Sequence, residues 1–67
     1  MNKTLLKARM LEKGIDADLL SQKTGMNIAT FYRKLSGESD FYIKELKIIR
    51  DTLELSKEDF NSIFFDD

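Results

Sequence analysis

An all-α fold is what this sequence predicts, and three observations carry the prediction. The 67 residues include no proline and only three glycines, Gly14, Gly25 and Gly37, too little turn material for hairpins. β-branched residues nowhere alternate with polar ones over the length of a strand. Apolar residues instead recur at three- and four-residue spacing between the glycines. Five helices follow, in one domain spanning 1–67, near the lower size limit at which a single core is self-supporting.

The first helix runs from Lys3 to Lys13 with Leu6, Met10 and Leu5 on one stripe, and Gly14 ends it. Ile15 then lies just outside the next cap, placed to close over Leu20 as a hydrophobic staple or simply to join the core. The second helix starts at Asp16, whose carboxylate caps free backbone N–H groups, and turns Leu19 and Leu20 inward. Gly25 stops it, because glycine tolerates the left-handed backbone at a helix end, and Asn27 caps a new helix two positions later. That third helix, Ile28 to Ser36, carries Phe31 and Leu35 inward and leaves Ile28, Ala29, Tyr32 and Arg33 outward. Gly37 ends it.

Glu38, Ser39 and Asp40 form a polar link, and Phe41 plugs the core. Ile43, Leu46, Ile49 or Arg50, and Leu53 mark the inner stripe of a fourth helix whose outer face holds Lys44, Glu45, Lys47, Asp51 and Glu54. Ser56, with Glu58 and Asp59 behind it, is the cap and acidic first turn of a fifth helix carrying Phe60, Ile63 and Phe64 on one side. Phe64 and Phe65 need cover, either from their own domain or from a second copy in a homodimer.

Composition excludes several function classes. With no cysteine and no histidine, disulfides, thiolate metal sites and the commonest neutral-pH acid–base group are all missing. No nucleophile–base pairing or phosphate-cradling glycine loop is spelled, so no catalytic residue, cofactor or metal is expected. Carboxylate neighbours such as Asp16 with Asp18, or Asp66 with Asp67, read as caps and solvated ends. No apolar run approaches the roughly 20 residues that cross a bilayer, and residues 1–11 lack the apolar segment of a signal peptide, so a cytoplasmic protein with no membrane partner is expected.

The formal charge of −1 hides an asymmetry. Residues 1–37 hold seven cations and three acids, net +4; residues 38–67 hold four cations and nine acids, net −5. A positive half containing the central helix pair orients one face toward a polyanion; solvated charges segregated by chance are the alternative. Two short helices around a glycine turn, Asp16 to Gly37, have the shape of a helix-turn-helix, in which the first helix lies across the DNA backbone and the second enters the major groove. On that geometry Ile28 and Ala29 suit thymine methyl groups, and Arg33 is the candidate for a bidentate contact with guanine in double-stranded DNA. Thr30, Tyr32 and Lys34 reach phosphates or flanking bases, with plain solvent exposure the other reading of Tyr32 and Lys34. Asn27 caps the helix, contacts DNA, or does both.

These residues carry a family resemblance. LEKGI at 11–15, LSQKTGMN at 20–27, TFYRKLSG at 30–37, SDF at 39–41 and SIFF at 62–65 together resemble the small Cro-like and lambda-repressor-like phage regulators over nearly the whole chain. The resemblance implies a compact five-helix lambda-repressor-like domain with its helix-turn-helix at helices 2 and 3. It also implies a sequence-specific transcriptional regulator that binds operator DNA as a symmetric dimer, on half-sites about one helical turn apart. The length, without room for a further self-association domain, favours the Cro-like type. Three positions depart from the pattern. Ala17 stands where the family usually has a phosphate-contacting glutamine, between Asp16 and Asp18, whose charges oppose DNA approach. Glu38 stands where a lysine commonly follows the glycine, and Tyr42 where a threonine commonly caps the fourth helix with the glutamate three residues on. A rival reading keeps the scaffold but makes it a helical protein-interaction module, an anti-repressor or the partner of a repressor protein, with the acidic half and Phe64/Phe65 as its surface. An antitoxin or excisionase-like accessory factor shares the architecture.

Overall fold

Four of the five helices begin with a side chain that replaces a missing backbone partner, and this local chemistry sets the architecture. The computed structural model describes residues 1–65; the Asp66–Asp67 pair lies outside them. The helices are α1 (Lys3–Lys13), α2 (Ala17–Thr24), α3 (Ile28–Leu35), α4 (Ile43–Leu53) and α5 (Lys57–Phe64), with no strand among the described residues. Asn2, Asp16, Asn27 and Ser56 accept from the backbone N–H three residues on, at 3.1, 2.9, 2.8 and 3.0 Å.

Helix ends are equally regular. Gly25 takes φ 80° after α2, and Met26 N–H then donates back to Ser21 C=O at 2.9 Å. Only a residue tolerant of the left-handed region makes this reversal cheaply, and the half-buried Met26 packs against the core behind it. The same backward bond recurs as Ile15 to Met10, Glu38 to Arg33 and Leu55 to Arg50. After α4 the left-handed residue is Glu54, at φ 53°, whose carboxylate pairs with Lys13.

The core gathers the inward stripes of all five helices: Leu6 and Met10, Leu20, Phe31 and Leu35, Ile49 and Leu53, and Ile63. Burying each of the larger side chains is worth about 1.5–3 kcal/mol. Leu46 is buried as well. α2 packs on α3 and α4, while α1 packs on α4 and α5. Phe41 inserts from the α3–α4 link, its ring edge-to-face with Phe31 at 5.8 Å and with Phe64 at 6.1 Å. The first and last helices are tied directly: Asn2 N–H donates to Ile63 C=O at 2.7 Å, and Arg9 Nε meets Asp59 Oδ2 at 2.7 Å. That hydrogen bond to Asp59 raises the guanidinium pKa above its ordinary value. The radius of gyration, 10.7 Å, matches the roughly 10.9 Å expected of a compact chain of this length.

Two expectations for α4 are corrected. Ile43, assigned to the inner stripe, is 62% exposed, because the first turn of α4 turns Glu45 and Leu46 inward and leaves Ile43 on the other side. Glu45, assigned to the outer face, is 5% exposed. Its Oε1 accepts from Tyr42 N–H at 2.8 Å, so glutamate supplies the reciprocal half of a capping box although tyrosine replaces the usual hydroxyl residue. Ile49, not Arg50, holds the core position.

Candidate functional site

α3 is two-sided, and its core side fixes where the other side points. Successive helical residues turn about 100°, so with Phe31 and Leu35 buried, Ile28, Ala29, Tyr32 and Arg33 are carried to the surface. Ile28 is at the edge of exposure, Ala29 and Arg33 are exposed, Tyr32 is half-exposed, and Thr30 is intermediate. Asn27 is exposed at the head of the helix, with its Oδ1 engaged by Thr30 N–H. The cap function is therefore present, and Asn27 also lines the groove beside the helix. Arg33 makes one long side-chain hydrogen bond, Nη2 to Thr30 Oγ1 at 3.3 Å, and no ion pair among the described residues. The guanidinium is left available to an external acceptor.

Lys34 departs from expectation. Expected to face outward toward phosphate or solvent, it is 7% exposed, with Nζ 2.8 Å from Glu45 Oε1 and 3.8 Å from the centre of the Tyr42 ring. The physical reason is that the end of α3 comes beside the head of α4, which brings Lys34 onto the buried Glu45 carboxylate. Lys34 is accordingly removed from the set of exposed contact residues.

The concave ground around α3 has two parts. On one side a groove between α3 and the head of α4 is lined by Asn27, Thr30, Arg33, Asp40 and Tyr42. On the other, a shallow depression joins Tyr32 and Ser36 to Lys3 and Lys7 of α1. Those two lysines belong to the positive half, and their i, i+4 spacing was the readable sign that they share a face. Arg9, Lys13 and Lys34 are neutralised by Asp59 and Glu12, Glu54, and Glu45, whereas Lys3, Lys7, Lys23 and Arg33 join no ion pair among the described residues. The unpaired positive charge of residues 1–37 thus centres on these four side chains. Opposing it, Asp16 and Asp18 are exposed at the head of α2, and Glu38 and Asp40 on the α3–α4 link. Ala17 is half-buried against the core.

A second, more apolar feature adjoins the α3–α4 groove and shares Lys34, Ser39 and Asp40 with it. Phe41, Ile43, Leu46, Phe64 and Phe65 line one groove, with Phe65 58% and Ile43 62% exposed. Phe64 is partly covered by the domain itself, through Phe41 and Phe60, and Phe65 touches Phe60 edge-to-face at 5.7 Å. Among the described residues no group of three or more carboxylates could hold a metal ion, and no helix is long and apolar enough to cross a membrane.

Comparison with family models, with curated proteins and with solved structures finds no match.

Proposed function

We propose that this chain is a sequence-specific DNA-binding transcriptional regulator of the small Cro-like, lambda-repressor-like type, acting on operator DNA in the cytoplasm. In this reading α2 and α3 work as a helix-turn-helix, with α2 against the backbone and α3 in the major groove. The observation that carries the reading is the uncovered face of α3 at Ile28, Ala29, Tyr32 and Arg33, set against the buried Phe31 and Leu35. Eight residues make a rod about 12 Å long, comparable to the roughly 12 Å width of the groove. Arg33 reads guanine, Ile28 and Ala29 meet thymine methyls, and Asn27, Thr30 and Tyr32 serve flanking bases or phosphates. Lys3 and Lys7 add positive charge on the Tyr32 side.

The test is selection of DNA fragments from a random pool by the purified protein, followed by titration of the enriched duplex at two salt concentrations. A palindromic consensus whose affinity falls steeply with salt is the expected result. Failure to enrich any sequence, even at low salt, overturns the reading.

The exposed Phe65 and Ile43 beside Phe41 and Phe64 favour a second reading, a helical interaction module that docks a partner repressor. Light scattering after size-exclusion chromatography separates the cases. A monomer that shifts only with a protein partner supports the module, and a concentration-dependent dimer supports the regulator on paired half-sites.

A further inference from the structure

Glu45 Oε1 accepts two hydrogen bonds at once, each 2.8 Å long: one from its own helix head, Tyr42 N–H, and one from Lys34 Nζ near the end of α3. The first bond fixes the carboxylate relative to α4. The second ties α3 to that fixed point. Tyr42, itself 69% exposed, lays its ring over the ammonium and completes a small cage around the cation. Both charged side chains are less than 10% exposed, and no buried side-chain polar atom among the described residues lacks a partner.

A buried ion pair of this kind is a poor source of net stability, since desolvation offsets much of the attraction and apolar residues of similar volume serve as well. What it does supply is direction. An apolar contact tolerates sliding, whereas two hydrogen bonds converging on one oxygen permit one register. Lys34 directly follows Arg33 on α3, so whatever fixes Lys34 fixes the root of the exposed guanidinium. Away from this pair, α3 packs on α2 and is anchored in the core by Phe31 and Leu35, and Lys34–Glu45 adds a charged tie between α3 and α4.

We infer that Lys34 and Glu45 are positioning residues for DNA recognition, setting the angle at which α3 presents Arg33 and Thr30, and that Lys34 is not itself a phosphate ligand. This rests on α3 being the DNA-reading helix. The two roles for Lys34 predict opposite signs for Glu45→Gln, which keeps an acceptor for Tyr42 N–H but removes the charge that holds Lys34. A phosphate-binding lysine released from its carboxylate binds DNA as well as before or better; a positioning lysine that loses its anchor binds worse.

The experiment titrates Glu45→Gln and Lys34→Met against the duplex enriched by the wild-type protein and against a scrambled duplex of the same composition. Expected is a loss of about tenfold on the enriched duplex, the value of one base contact, with scrambled-duplex affinity and the salt slope unchanged. An equal or tighter Glu45→Gln complex, or a Lys34→Met salt slope lowered by about one, overturns the inference. Should either single variant unfold, the double variant Lys34→Met/Glu45→Met replaces the pair with packing. Restored thermal stability with specificity still lost supports positioning, and restored stability with full specificity overturns it. If the wild-type protein enriches no DNA, the regulator reading fails separately. Amide hydrogen exchange of Glu45→Gln then decides: faster exchange confined to α3 supports the anchor, and unchanged exchange overturns it.

Discussion

Phe31 and Arg33 stand two positions apart on α3 and point to opposite sides of it, the first fully buried and the second exposed. Core and contact face are thereby divided within one turn of helix, and substitutions at the two positions separate stability from binding. Arg33→Ala should cost about 1–3 kcal/mol of DNA affinity and relax specificity at one base pair, with the melting temperature unchanged. Phe31→Ala should cost about 3–5 kcal/mol of stability, a large part of the roughly 5–15 kcal/mol a whole domain commands. Thermal melts followed by circular dichroism, paired with DNA titration, check both.

Asn27 holds the first turn of α3 through its bond to Thr30 N–H. Asn27→Ala should lower stability by about 1 kcal/mol, and Asn27→Ser, which keeps a capping oxygen, should leave it near wild type. The serine variant then isolates the amide: a melting curve like wild type combined with weaker DNA binding assigns the Asn27 side chain a contact of its own.

Lys3 and Lys7 predict a salt signature without a sequence signature. Replacing either by glutamine should reduce the slope of log affinity against log salt by roughly 0.9, and the enriched consensus should not change. Lys57→Gln, in the acidic half and exposed on α5, is the control that leaves the slope as it was.

Glu54 gives a pH dependence. The hydrogen bond and charge of Lys13 lower its pKa below the ordinary glutamate value. Its folded-state pKa is depressed, so the pair's contribution is present above the unfolded-state pKa and is lost as pH falls through the folded one. Glu54→Gln should melt slightly below wild type at neutral pH, and the two curves should converge in acid. Both side chains are solvent-exposed, and added salt should shrink the neutral-pH difference too.

The parts of this fold written within four residues of each other were legible in the sequence. Asp16 and Asn27 as caps, Gly25 as the reversal, and Phe31 with Leu35 as the inner stripe of α3 all depend on local geometry, and each stands where the pattern placed it. Lys34 and Glu45 were not legible as partners. They lie 11 residues apart on different helices, and nothing in either helix's periodicity encodes their meeting. Helical periodicity sends every lysine and glutamate outward, and only the approach of the end of α3 to the head of α4 reverses that. Ser21 and Thr24 were missed for a related reason: their hydroxyls donate to Asp18 C=O and Leu20 C=O of their own helix, which lets two polar residues sit in the interior of α2.

The bond from Asn2 to Ile63 and the Arg9–Asp59 pair join residues some 50–60 positions apart, and Ile63 is wholly interior. A nascent chain emerging from the ribosome would carry α1 to α4 with a gap where α5 belongs. Folding cannot finish until α5 has emerged and packed on α1. A chain lacking α5 would leave the core open where Ile63 sits, an apolar gap that makes it a substrate for proteolysis instead of a shortened but folded product.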